Sequence, residues 1–121
     1  MSKLTLIERA WGPETAYRGD WREDNPAWGQ CAVTALLVQE IMGGEIVVQR
    51  LLYGPDQTPM RHYYNSITTP DGYWKIDLTK SQFGKHSRQI LEEKFVNRAQ
   101  LLRGDLKKRY AVFRENVRGI L

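Results

Sequence analysis

Hydrophobic positions change their spacing from segment to segment along this chain, and the spacing predicts the elements. Near the start, Leu4, Leu6, Ile7 and Ala10 suit a short helix over residues 2–10, with Ser2 as N-cap, Trp11 packing behind it and Gly12-Pro13 ending it. Residues 18–29, RGDWREDNPAWG, are dense in Gly, Pro, Asp and Asn and read as a long loop pinned by Trp21 and Trp28. A loop of that length in a small domain is often functional. Residues 30–42, QCAVTALLVQEIM, are largely apolar, lack Gly and Pro, and stop at Gly43-Gly44. That length and those glycines predict a buried helix.

The β-branched run 45–53, EIVVQRLLY, predicts a strand. Residues 61–68 and 73–79 predict two more, flanking Thr69-Pro70-Asp71-Gly72. That tetrapeptide is a turn because Pro sets φ at its second position and Gly tolerates positive φ. Alternation puts Trp74, Ile76 and Leu78 on one face of the returning strand and Tyr73, Lys75, Asp77 and Thr79 on the other. Residues 80–104 show no clear period apart from a short helix over 98–103 capped by Asn97. In 105–118, Leu106, Tyr110, Phe113 and Val117 recur at helical spacing behind Asp105 at the cap, with basic residues outward. The order helix, helix, strand, hairpin, helix predicts an α+β fold, its central helix starting near Cys31 and packed on an antiparallel sheet.

Composition narrows the class. The 121 residues are 41% hydrophobic and 26% charged, and no repeat is visible, so a single domain over 1–121 is expected. No run approaches the roughly 18 apolar residues of a membrane span. The start, MSKLTLIERAWG, has no secretory apolar core. A cytoplasmic protein with no membrane association is expected. Cys31 is the single cysteine, which excludes an internal disulfide framework and Cys-rich metal sites. With only His62 and His86 besides, neither metal nor cofactor is expected. The formal net charge of +4 is uneven: residues 80–121 hold eleven Lys/Arg against four Asp/Glu. A basic third can mark nucleic-acid binding, but a solvated helix face is the commoner origin. The aromatic residues do not interleave with the basic ones as a base-stacking platform requires.

Cys31 stands where the long loop becomes a helix. The first helical turn offers unpaired N–H groups and partial positive charge, which favour an anion. Cysteine pKa values at such places can fall to roughly 3.5–7.5, and the same N–H groups can receive an oxyanion. Taken singly, a small buried hydrophobe is the commoner fate of a cysteine. His62 opens one hairpin strand and Asp77 lies on the other. A two-residue loop, Pro70-Asp71, would pair Thr69 with Gly72, set Asp77 opposite Tyr64, and leave His62 two residues along on the same face. A three-residue loop would separate them onto opposite faces. His86, beside Lys85, reads as a surface residue. Asn65 reads as a packing or hydrogen-bonding residue on the face away from His62.

In order, the chain reads Gly29-Gln30-Cys31-Ala32-Val33, then His62-Tyr63-Tyr64-Asn65, then Asp71-Gly72-Tyr73-Trp74-Lys75-Ile76-Asp77-Leu78-Thr79. This resembles the transglutaminase-like branch of the papain-like cysteine-enzyme superfamily. The whole chain also looks like the YunG-like family of small uncharacterised bacterial proteins, through Asn25-Pro26-Ala27-Trp28-Gly29-Gln30-Cys31, Gly43-Gly44-Glu45, the His62 strand, and Asp77-Leu78-Thr79 with Gln82-Phe83. The resemblance implies a minimal papain-like core and a Cys31–His62–Asp77 triad. Cys31 would attack a carbonyl, His62 would relay the proton, and Asp77 would orient the imidazole. The Cys31 N–H, with Gln30 or Trp28 as second donor, would hold the oxyanion. Ala32 stands where those enzymes usually carry an aromatic, and the chain is much shorter than theirs. The implied activity is acyl transfer on an amide or ester, such as a peptide, by hydrolysis, deamidation or transfer. A non-catalytic binding module on the same scaffold is the alternative, and nucleic-acid binding a distant third. The sequence sets neither substrate nor oligomeric state.

Overall fold

The computed structural model describes residues 3–120. The chain opens with α1 (Lys3–Leu6), which tightens into a 3-10 turn, Ile7–Ala10. Ser2, expected as its cap, lies outside the described residues. The long loop follows, then α2 (Cys31–Met42), β1 (Glu45–Tyr53), β2 (Thr58–Thr69), β3 (Gly72–Ile76), a 3-10 turn at Lys80–Phe83, β4 (Arg88–Val96), α3 (Arg98–Leu101) and α4 (Gly104–Ile120). The strands form one antiparallel sheet in the order β3-β2-β1-β4. The class is α+β, as the order of elements predicts. Among the described residues no helix is long and apolar enough to cross a membrane.

Two differences from the sequence reading matter. β4 falls inside 80–104, where no strand is expected, and pairs with β1. The returning hairpin strand ends at Ile76, so Asp77, Leu78 and Thr79 lie beyond it. Trp74 is 62% exposed, whereas Leu78, expected on the same face, packs against the core. β2 also starts three residues earlier than the sequence suggests.

The core lies between the sheet and the helices. Val33, Leu36 and Leu37 of α2 meet Ile46 of β1, Phe113 and Val117 of α4, and Ile7. On α4, Tyr110, Phe113 and Val117 are buried, Leu106 half-buried, and Lys107, Lys108, Arg114 and Arg118 exposed. The amphipathic reading of this segment is therefore correct, and its basic stripe is a solvated face. Arg109 is the exception, for it is buried and donates to Thr15 O at 3.2 Å and to Asp105 at 2.8 Å. Asn97 caps α3 by accepting from Gln100 N–H at 3.2 Å, and α3 is one turn only.

The α2–β1 corner needs its glycines. Gly44 has φ +80°, and a Cβ there would lie 2.6 Å from Ser66 O. The corner lets α2 fold back across the sheet. Asn65, 2% exposed, then fixes the stacking by donating from Nδ2 to Ala35 O at 2.9 Å.

Candidate functional site

The hairpin has the two-residue loop. Thr69 pairs with Gly72 and the register continues to Asn65 opposite Ile76. One more step would set Tyr64 opposite Asp77, so the Asp77 carboxylate reaches back along the same face to His62. The contact forms: His62 Nε2 and Asp77 Oδ2 are 2.7 Å apart, with the two side chains 1% and 6% exposed.

β3 pairs with β2 only as far as Asn65. The N-terminus of α2 reaches the stretch of β2 before that point, where Cys31 Sγ makes a long contact of 3.9 Å with Arg61 O. Arg61 immediately precedes His62, so the thiol lies close to the imidazole and helps raise its pKa. The thiol therefore lies near an imidazole that is itself bonded to a carboxylate.

Three further groups enclose the imidazole. The Phe83 ring meets it edge-on at 4.9 Å between centroids and Tyr64 lies at 6.3 Å. Gln82 Nε2 stands 3.0 Å from His62 Nδ1, the nitrogen not used by Asp77, and 3.4 Å from Thr79 Oγ1. Gln82 is itself held by Asn25, whose Nδ2 donates to Gln82 O at 2.8 Å and ties the long loop to the 80–83 turn.

Burial opposes charge on His62. The Asp77 hydrogen bond, followed by the Cys31 hydrogen bond and the charges of both partners, outweighs it and raises the pKa from 6.5 to about 9. A charged ring carries protons on both nitrogens and needs an acceptor at Nδ1. A half-turn of the Gln82 amide presents Oε1 there, whereas the orientation with Nε2 inward suits the neutral ring. Sequence reasoning did not assign Gln82 a role, although its segment, Thr79 to Phe83, carried part of the family resemblance.

The expected second oxyanion donors are not free. Gln30 is fully buried; its Nε2 donates to Gly12 O at 3.0 Å, its Oε1 accepts from Thr15 at 2.7 Å, and its N–H is bonded to Ala27 O at 3.1 Å. Trp28 donates from Nε1 to Asp20 at 3.0 Å and from its N–H to Asn25 O at 3.0 Å. Both residues shape the loop before Cys31. The donors left at this place are the N–H groups of the first turn of α2, which has no side-chain cap from Gln30. Gly29, at φ +78°, lets the loop close: its carbonyl accepts from Tyr17 N–H at 2.9 Å, and a Cβ there would stand 3.0 Å from that nitrogen.

In front of Cys31 opens a cleft of about 1190 Å³. The 18–29 loop forms one wall with Arg18, Asp20, Arg22 and Trp28, and Arg50, Arg61, Arg103 and Arg109 line the rest together with Tyr63 and Asp105. Burial pushes the Tyr63 phenol up, as does the charge of Cys31, while Arg61 and Arg109 pull it down. His86 is exposed, as expected, and rests edge-on against Tyr53.

Fold and site together define a small α+β protein with a thiol at a helix start beside a buried imidazole–carboxylate pair. The chain belongs to the YunG family, whose model, described as YunG protein, matches residues 3–121. A curated relative, the uncharacterized protein YunG of Bacillus subtilis (strain 168), is 36% identical over 97 residues, covering 76% of this chain and 74% of that protein. No solved structure matches.

Proposed function

We propose that this protein is a thiol-dependent acyl-transfer enzyme on a papain-like, transglutaminase-like minimal core, acting on an amide or ester such as a peptide in the cytoplasm. The observation that carries the reading is the buried 2.7 Å contact of His62 with Asp77, with the Cys31 thiol against the neighbouring strand carbonyl, Arg61 O. A buried imidazole–carboxylate pair is costly to desolvate, and a structural role asks for no thiol beside it.

Cys31 gives its proton to the His62 ring, and Sγ forms a bond to the substrate carbonyl carbon. The carbonyl oxygen becomes the oxyanion and is held by N–H groups of the first turn of α2. His62 returns the proton to the leaving amine or alcohol as the carbon–nitrogen or carbon–oxygen bond breaks, leaving a thioester on Cys31. Water or an acceptor amine, deprotonated by His62, then attacks the thioester and regenerates the thiol. Asp77 keeps Nε2–H oriented and stabilises the charged ring.

The second reading, a binding module on the same scaffold, draws on the low exposure of Cys31, 9%. One experiment separates them. Incubation with p-nitrophenyl acetate should acetylate Cys31, read by mass spectrometry, and release nitrophenolate in a burst. Cys31→Ser should abolish both, and Asp77→Asn should slow the burst by about 100-fold or more. Nitrophenolate release that is the same in Cys31→Ser and in the wild type would sink the enzyme reading.

A further inference from the structure

The cleft carries a charge pattern that thiol chemistry alone does not call for. Its walls hold Arg18, Arg22, Arg50, Arg61, Arg103 and Arg109 against two carboxylates, Asp20 and Asp105. Asp20 pairs with Arg22 at 3.5 Å and Asp105 with Arg109 at 2.8 Å. Among the described residues, Arg18, Arg61 and Arg103 have no carboxylate in ion-pair range.

Two of these arginines oppose each other. Arg50 of β1 and Arg61 of β2 are direct cross-strand partners. The alternation that turns Val48 and its partner Tyr63 toward the helices turns Arg50 and Arg61 the same way. Like charges placed directly opposite in an antiparallel pair destabilise the sheet. The relief is partial. Glu92 lies opposite Arg50 on β4 and approaches it at 3.6 Å, but both side chains are about half exposed, and such pairs contribute little. Arg61 lies close enough to the Tyr63 phenol to lower its pKa, and among the described residues it has no carboxylate in ion-pair range. The pair also lines an adjoining hollow of about 420 Å³ with Lys94 and Glu92. It lies next to the reactive centre, since Arg61 O is the atom that Cys31 Sγ touches.

We propose that Arg50 and Arg61 form an anion clamp, and that the acyl substrate is anionic, with a carboxylate or phosphate seated between the two guanidiniums while its carbonyl lies at Cys31. This rests on the thiol reading above and adds the substrate class. Guanidinium forks bind carboxylate and phosphate oxygens in pairs, and a bound anion removes the Arg50–Arg61 repulsion that the empty cleft retains. A cleft wall of one sign also concentrates counter-charged substrate.

The test compares iodoacetate with iodoacetamide, which deliver the same carbon to Cys31 with and without a charge. Arg50→Gln with Arg61→Gln should lower the iodoacetate-to-iodoacetamide rate ratio at least about fivefold, and salt at about 1 M should do the same to the wild type. Arg50→Lys with Arg61→Lys should keep most of the ratio. Lys107→Gln with Lys108→Gln, which removes the same charge from the outer face of α4, should leave it unchanged. An unchanged ratio in the Gln pair, with iodoacetamide still reacting, overturns the clamp and leaves the thiol reading standing. A thiol inert to both reagents overturns the thiol reading, and the clamp is then judged by calorimetry on Cys31→Ser. Pyrophosphate or glutarate should bind that variant, and the Gln pair should abolish binding. Preference for one of them assigns phosphate or carboxylate, and binding of neither overturns the proposal.

Discussion

Replacing Asp77 by Asn removes the carboxylate charge beside His62 while leaving a carbonyl oxygen able to accept from Nε2–H. Raising the imidazole from 6.5 to about 9 in the folded state corresponds to about 3 kcal/mol of preference for the charged ring. Because the folded value lies above the unfolded one, that stabilisation is complete below pH 6.5 and is lost as pH rises through about 9. In Asp77→Asn, burial no longer meets its main opponent and the His62 pKa falls, so the variant loses most of this slope. Urea unfolding of both proteins from pH 6 to about 9.5 measures it, and the difference between the two curves removes titrations they share. The variant should be less stable by about 3 kcal/mol at pH 6, and the curves should converge toward the alkaline end. Ring resonances of His62, followed by NMR, should show the titration itself. Parallel stability curves across the whole range would refute the coupling of His62 to Asp77 on which the site reading depends.

Two further outcomes test the scaffold. Phe113, fully buried between α4, α2 and the sheet, should cost about 3–5 kcal/mol when replaced by Ala, read as a lower urea midpoint with an unchanged slope. Gly44→Ala places a Cβ against Ser66 O at a positive φ and should destabilise by more than about 1 kcal/mol, whereas Gly12→Ala, where a Cβ would meet nothing within 4 Å, should change thermal midpoint little.

Much of the arrangement was legible because it follows from local chemistry. The turn at Thr69-Pro70-Asp71-Gly72 was legible, and of its two possible loop lengths the two-residue one forms, which sets the register and puts His62 and Asp77 on one side. The apolar run ended by two glycines favoured a helix packed on that sheet, and this brought Cys31 to its start. β4 was not legible. In RQILEEKFV every residue from Gln89 to Phe95 is exposed, so no buried face imprints a period of two. The strand is ordered by pairing with β1, a partner about forty residues earlier. The oxyanion donors failed for another reason: adjacency to Cys31 does not reveal direction. Gln30 points inward to Gly12 and Thr15, and Trp28 turns to Asp20. Gln82 was hidden because it sits on a single 3-10 turn, which leaves no periodic trace.

Local preferences and the observed arrangement disagree in one region above all. β3 stops at Ile76 although the pattern of Trp74, Ile76 and Leu78 would carry it further. An imidazole is buried where an apolar side chain would cost less. Two arginines face each other across a strand pair. Each departure destabilises the fold by itself, and such departures are expected to gather where function constrains the sequence. Here they are mechanically linked. The stop at Ile76 frees Asp77 to turn to His62 and uncovers the β2 edge. The start of α2 packs against the same stretch of β2, so Cys31 meets Arg61 O, next to His62. The same stretch of β2 carries Arg61 opposite Arg50 at the wall of the cleft. Extending β3 by two residues would restore regular pairing and draw Asp77 into the ladder, away from His62. The irregular end of one short strand is therefore what joins the carboxylate to the imidazole beside the thiol.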